Sequence, residues 1–311
     1  MDRASGALQV LKLSYVVVQF ESPFHVGRYS LMDALDYVAS DTVYSALEWL
    51  RHMGVRDVPM RVSSAYPLLP AEGDRADVAL GSERYLLSAP MPALWRLAVS
   101  GVEKVRRVEV QVSEDKKKDV KGVRFVPLEC LRKGELRVRE VEGRIVLECG
   151  SVAATWRSGF HGEQVVRAHN RLSRNTNMAD TFRVAAFSPG VPYVVYFEGG
   201  GAEAFELLGE LGLGGKRSWG LGKFRVAARG EVELPNGGDW AVVLGVARPH
   251  GYAEAVGAWE VRSWRCTRGV VGPVSVLLDG GMIRGNFGLE IIERTDAECT
   301  KRLDPLWIWL S

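Results

Sequence analysis

Residues 212–222 read Gly-Leu-Gly-Gly-Lys-Arg-Ser-Trp-Gly-Leu-Gly and join the helical-period segment 202–211 directly to Lys223-Phe224-Arg225-Val226. Five glycines in eleven positions rule out a continuing helix, so the chain must turn there from helix into strand. Few architectures accept so short and so glycine-rich a connection. Without Cβ atoms, its backbone N–H groups can approach another molecule closely. Lys216, Arg217 and Lys223 add positive charge, Ser218 a hydroxyl and Trp219 a flat ring, the chemistry of a phosphate cradle with a stacking group. A plain surface loop is the competing reading. The Walker pattern fails because position 210 is Glu and Arg217 follows Lys216. The dinucleotide fingerprint fails because Arg217 and Arg225 stand where its third glycine belongs.

Length and composition set outer limits. With 311 residues, 47% of them hydrophobic, the chain has room for two ordinary domains. No apolar run is long enough to span a bilayer, and the start Met-Asp-Arg-Ala-Ser-Gly-Ala has no secretory pattern, so a cytoplasmic protein is expected. A net charge of +2 does not advertise a nucleic-acid binder, so any such site must be a local cluster. Clusters exist at Arg106-Arg107, Lys116–Lys118 with Lys121, Arg167–Arg174, Lys216-Arg217 with Lys223, and Arg262 with Arg265 and Arg268. Thirty of the forty basic residues are Arg, whose planar fork suits phosphates and bases, although a biased genome produces the same skew. Cys130, Cys149, Cys266 and Cys299 never form a C-x-x-C pair, so no zinc site is expected. Buried thiols are expected, a Cys130–Cys149 bridge being the alternative. The five histidines lack ligand spacing, and no metal or cofactor is expected.

Along the chain, residues 8–20 predict a strand by their β-branched content. Ser40 is a candidate N-cap for a helix running to about Met53, closed by Gly54. Pro59, Pro67 and Pro70 make 57–75 an irregular connection. Residues 102–126 predict a hairpin with a basic tip at Lys116–Lys118, and 135–148 a second hairpin turning at Glu142-Gly143. A basic loop over 157–178 then leads to strands 181–187 and 192–197, helix 202–211, the Gly loop and strand 223–229. With insertions set aside, the order strand, helix, strand, strand, helix, strand predicts an α+β, ferredoxin-like βαββαβ unit. It spans 1–233 with an insertion at about 57–150, and one sheet face is left open as an RNA platform. Residues 234–311 predict a smaller β-rich domain, itself taken as ferredoxin-like.

Several spaced segments resemble the RAMP superfamily of CRISPR RNA-binding proteins, and within it the crRNA 5′-handle-binding subunits of type III-A (Csm) effector complexes. They are Phe24-His25-Val26-Gly27 with Ala39-Ser40-Asp41-Thr42; the basic run from Lys117 to Arg124-Phe125-Val126-Pro127; Asn170-Arg171-Leu172-Ser173-Arg174; and the Gly loop running on into Lys223-Phe224. Looser matches are Arg262-Ser263-Trp264 and the Gly280-Gly281 turn, which depart from the family pattern. The resemblance implies a non-catalytic subunit that binds the crRNA 5′ handle. It implies docking on the large polymerase-cyclase-like subunit and on the backbone RAMP subunit. The corresponding subunit of type III-B (Cmr) complexes and a metal-independent crRNA-processing endoribonuclease are the alternatives. His25 could serve as base in the latter, but no paired Tyr or second His is recognised near it as leaving-group acid. Asp33 and Asp36 read as ordinary surface acids.

The expected RNA contacts are therefore His25, Arg28, Ser40, Lys117, Lys118, Lys121, Arg167, Arg171, Ser173, Arg174, Asn175, Arg262 and Arg265. Gly214, Gly215, Lys216, Arg217, Ser218, Trp219, Gly220, Gly222 and Lys223 complete the set, with Trp219 either stacking on a base or packing in the protein. No catalytic residue is assigned.

Overall fold

Val10–Phe20 alternates so that Leu13 and Val17 face one way while Val16 and Val18 face the other, and all four are fully buried. The strand lies in the main sheet of a computed structural model that describes residues 10–27, 30–172, 179–266, 268–294 and 299–310. The sheet order is Phe224–Pro235, Val10–Phe20, Tyr193–Glu198, Arg61–Val62, and Tyr66–Pro67 also pairs with the third of these. Every pairing is antiparallel. The helices Ser40–His52 and Glu203–Leu211 cover one face, where Leu47, Leu50, Phe205 and Leu208 meet Val16, Val18 and Val195. The fold is mixed α+β and mostly strand.

The slot beside Tyr193–Glu198 goes to residues 61–67, not to the expected strand 181–187. Pro67, one of the prolines that marked 57–75 as irregular, is tolerated because this strand is short and lies at an edge, where a missing N–H costs no ladder bond. Ala179–Pro189 instead pairs along its whole length with Gly162–Leu172. The expected basic loop is thus largely a strand, one arm of a long ribbon. Such a ribbon has solvent on both sides over much of its length and needs no apolar alternation, which hid it from periodicity.

The expected open sheet face is closed. Leu13, Val17, Val194 and Tyr196 lie in the largest apolar cluster with Leu68, Leu69, Trp95, Val126, Ile308 and Leu310. The residues inserted after 67 and the C-terminal strands therefore cover the face opposite the helices. The Tyr196 hydroxyl is satisfied by donating to the Ser88 carbonyl at 2.8 Å. The basic tip is also rearranged. Glu114–Lys116 is a 3₁₀ turn, Lys117–Lys121 a short helix, and Val108–Gln111 runs parallel to Leu136–Val141 instead of folding back on its own chain. The hairpin at Glu142-Gly143 is as expected, with φ of 52° and 74° at its two turn residues. Trp240–Val243 pairs with Trp307–Leu310 and Met282–Arg284, and Trp259–Cys266 forms a ribbon with Gly269–Leu277. Among the described residues, no helix is long and apolar enough to cross a membrane.

Cys130 and Cys149 form a disulfide, and Cys266 is also disulfide-bonded, which corrects the expectation of buried thiols. The first bridge is the alternative named from the sequence, and it forms because helix Leu128–Lys133 meets the end of strand Arg144–Cys149 in the fold. Replacing both Cys130 and Cys149 by Ala should lower the unfolding free energy by about 3 kcal/mol under oxidising conditions. The difference should shrink in strong reductant, as chemical denaturation of both proteins in each condition will show.

Candidate nucleic-acid interface

The Gly loop is folded onto the protein. Leu213 donates its N–H to the Gly222 carbonyl (2.8 Å) and Gly222 donates to Pro23 (2.9 Å), closing the neck, while Leu213 and Leu221 are buried. A Cβ on Gly222 would lie 2.1 Å from the Leu213 carbonyl oxygen, and one on Gly214 would lie 2.7 Å from that of His25. Both residues have positive φ, so any side chain there is doubly disfavoured. Gly220, by contrast, faces open space. Most of these glycines therefore let the loop approach the chain's own backbone, not a ligand.

His25 ties three segments together. Its carbonyl accepts from the Gly215 N–H (2.7 Å), and its ring Nδ1 donates to the Ala185 carbonyl (2.6 Å) on the long ribbon. Phe24 pairs through its backbone with Phe187 on the same ribbon. From the loop side, Trp219 reaches the ribbon and lies against His169 (4.2 Å between ring centroids) and Phe182 (5.9 Å). Trp219 thus packs within the protein while remaining partly exposed. The strand exit after Phe20, the ribbon and the Gly loop form one surface.

Lys216, Arg217 and Lys223 crown this surface, and among the described residues no acid pairs with them. Lys216 Nζ lies 4.5 Å from the Trp219 ring centroid and the Arg217 guanidinium 5.4 Å from that of Trp49. Together with Ser218 and the acid Glu210 they line an open cleft of about 600 Å³. Arg217–Trp219 is a 3₁₀ turn entered through Lys216 at φ 60°, which aims the consecutive cations at the cleft. The arrangement can capture a phosphate with one or more of three cations beside two indole rings.

Other expected contacts lie outside the loop. Arg167 is exposed on the ribbon, and Arg171 lies on the same strand but its side chain is outside the described residues, as are Arg28, Ser173, Arg174 and Asn175. Lys118 and Lys121 are exposed on the short helix, where Lys117 is paired with Glu114. Arg265 is exposed on the Trp259–Cys266 strand. Ser40 and Arg262 are engaged inside the protein. The Ser40 hydroxyl accepts from the Val246 N–H (2.9 Å) and makes no cap bond, while Ala39 takes the N-cap position. Arg262 donates to Asp41 (2.9 Å), which also accepts from Trp264 Nε1 (2.8 Å), so that segment holds the C-terminal strands to the first helix.

The sequence reading missed one polar cluster. Asp36, taken as a surface acid, accepts from His161 Nε2 (2.8 Å) and is paired with Arg124. His161 stacks on Phe187 at 5.4 Å and lines a cavity of about 350 Å³ with Arg124, Trp156 and Gln164. Burial alone would raise the Asp36 carboxyl, but the His161 hydrogen bond and the Arg124 charge outweigh it and hold the pKa at about 2. Nothing in sequence joins positions 36, 124 and 161. Among the described residues, no group of His, Cys, Asp and Glu could hold a metal ion.

No protein-family profile matches the chain, and no curated protein matches it in sequence. Among solved structures it is similar to a chain in the crystal structure of the Csm3-Csm4 subcomplex in the type III-A CRISPR-Cas interference complex. Identity there is 13%, 96% of this chain and 99% of that chain are covered, and the TM-score is 0.44. It is also similar to a chain of the type III-B Cmr-beta bound to cognate target RNA, at 10% identity, 88% and 86% coverage and a TM-score of 0.41. A third is from Cmr-beta bound to cognate target RNA and AMPPnP, state 1, at 11% identity, 87% and 86% coverage and a TM-score of 0.42. Likeness at this level says nothing about the site, whose case rests on its own residues.

Because the Asp36 carboxyl sits below its ordinary 3.8, its pairing stabilises the fold fully above that value and fades as pH falls through about 2. Asp36→Asn should therefore cost about 2 kcal/mol at pH 7. The gap to the unsubstituted protein should close in strong acid, as urea melts at both pH values will show.

Proposed function

We propose that this chain is a non-catalytic, cytoplasmic RNA-binding subunit of a type III-A CRISPR effector complex. It would cap the 5′ handle of crRNA and dock on the large polymerase-cyclase-like subunit and the backbone RAMP subunit. The sheet, with its last, first, third and second strands adjacent in that order and two helices on one face, fits a ferredoxin-like βαββαβ domain. One observation carries the reading. The His25 and Gly-loop segments, which bear the family resemblance, are bonded to each other, and they present Lys216, Arg217 and Lys223 without acidic partners around an open cleft. With the sheet face buried, the handle would be held at this loop surface by phosphate capture, with Trp49 and Trp219 offering ring faces. Membership of a type III-B complex would use the same surface.

A metal-independent endoribonuclease is a second reading, and it is favoured by His161, not His25. The His161 imidazole is oriented by the Asp36 carboxylate at the wall of a cavity, as for a general base, and its other ring nitrogen, Nδ1, is buried without a hydrogen-bond partner among the described residues. The His25 ring is buried and bonded to Ala185.

Two assays decide. Replacing Lys216, Arg217 and Lys223 together by Ala should weaken handle-RNA binding and flatten the log–log salt slope by up to about 2, at about 0.7 per phosphate lost on a single strand. An unchanged slope places the RNA elsewhere. Incubating full-length protein with repeat RNA in EDTA should give no specific cleavage. Cleavage that disappears in His161→Ala would replace the capping role with the nuclease.

A further inference from the structure

Two adjoining hollows of about 220 and 210 Å³ share Met91, Arg96, Ala258 and Asp279. They lie between helix Ala93–Val99 and the Asp279-Gly280-Gly281 turn, and the second reaches on to Tyr37, Arg124 and Phe125. Their walls are joined by backbone. Ala93 donates its N–H to the Gly280 carbonyl (2.8 Å), and a Cβ on Gly280 would sit 2.4 Å from the Met91 carbonyl oxygen. The small-residue turn noted in the sequence is thus the piece that lets these walls close together.

Charge in this cleft is unbalanced. Among the described residues Arg96 has no acidic partner and no side-chain hydrogen bond, yet it sits within electrostatic reach of the Arg124 guanidinium. Burial first, and the Arg124 charge second, lower the Arg96 pKa, against an opposing effect of Tyr37, and the side chain keeps an exposed position at the hollows where a ligand can reach it. Arg124 is paired with Asp36 and lies 5.3 Å from the Phe125 ring centroid and 5.9 Å from that of Tyr37. Asp279, the carboxyl lining both hollows, is partly buried and accepts from the Tyr66 (2.7 Å) and Tyr37 (3.1 Å) hydroxyls. Burial raises its pKa, against these hydroxyl bonds and the Arg262 charge, and its oxygens are held toward the tyrosines with no ion pair to Arg96 among the described residues. Met91, Leu97, Val256 and Leu278 supply apolar wall.

We propose that this cleft is a second site, separate from the Gly-loop surface, for a nucleotide phosphate: Arg96 takes the phosphate, and Phe125 with the apolar walls takes the sugar and base. A guanidinium without a counter-ion offers a phosphate two parallel N–H donors. The bound anion also removes the repulsion between Arg96 and Arg124. The nucleotide can arrive free or as one residue of an RNA strand, since both present the same groups. The site does not depend on the capping role, because none of its residues belongs to the Gly loop or the ribbon.

The test uses the full chain with inorganic phosphate, uridine 5′-monophosphate and a 4-thiouridine-labelled single-stranded RNA. Titration should show saturable binding of the mononucleotide, with phosphate as competitor. Arg96→Glu should weaken it at least tenfold and Arg96→Gln to a lesser degree, both with unchanged melting midpoints. The Lys216, Arg217 and Lys223 triple variant should leave it unaltered while losing RNA at the loop. Crosslinks from the labelled RNA to peptides holding Tyr37 or Phe125, lost in Arg96→Glu, would identify a strand as the source. Mononucleotide binding without those crosslinks would identify a free nucleotide. Absence of both, or equal binding by the folded Arg96→Glu variant, overturns the proposal.

Discussion

Tyr193–Glu198 is buried along nearly its whole length because its sheet is covered on both faces, and this double burial governs where everything else can go. Tyr193, Val195 and Phe197 point to the helices, while Val194 and Tyr196 point to the opposite layer. A central strand buried on both sides stabilises the fold through area removed from water on each face. It also removes the flat surface that similar sheets offer to RNA. Under the proposed role, recognition would fall at the end of the sheet, where the first strand exits after Phe20 and the last strand begins at Phe224.

At that end the chain spends its glycines on itself. Gly214, Gly215 and Gly222 come close to His25, Pro23 and Leu213, so the loop is held by backbone hydrogen bonds instead of waiting for a ligand to order it. A pre-folded loop binds without the entropic cost of ordering, and its cations stay fixed at the cleft. His25 is the knot. Its carbonyl holds the loop and its ring holds the ribbon, so phosphate contacts on either segment would be coupled through one residue. The Arg96 cleft belongs to a different part of the fold, where the inserted helix meets the C-terminal turn.

Local signals carried the elements whose own residues decide them. The first strand, the helix over Ser40–His52, the helix over Glu203–Leu211 and the turn at Glu142-Gly143 were all legible, because periodicity and turn chemistry act within a few residues. Sequence also located the Gly loop and its three cations. It failed where partners decide. Pro67 looked like a breaker and became an edge-strand residue, and 162–172 looked like a polar loop and became half of a ribbon. Ser40 and Arg262 looked like ligand contacts and became bonds between the first helix and the C-terminal strands.

What the amino-acid order determined alone is thus a set of strands and helices, their sequence along the chain, and a cationic glycine-rich turn between the second main helix and its strand. Tertiary structure decided which strands pair, which sheet face closes and which charges keep a partner. The physical reason is range. Backbone preferences and turn geometry are settled by near neighbours, whereas the Asp36–His161 bond spans 125 positions and the burial of Tyr196 depends on Leu68, Trp95 and Leu310 arriving from three separate stretches. Among the described residues Arg96 is left without an ion-pair partner for the same reason, because its surroundings are supplied by segments far apart in the chain.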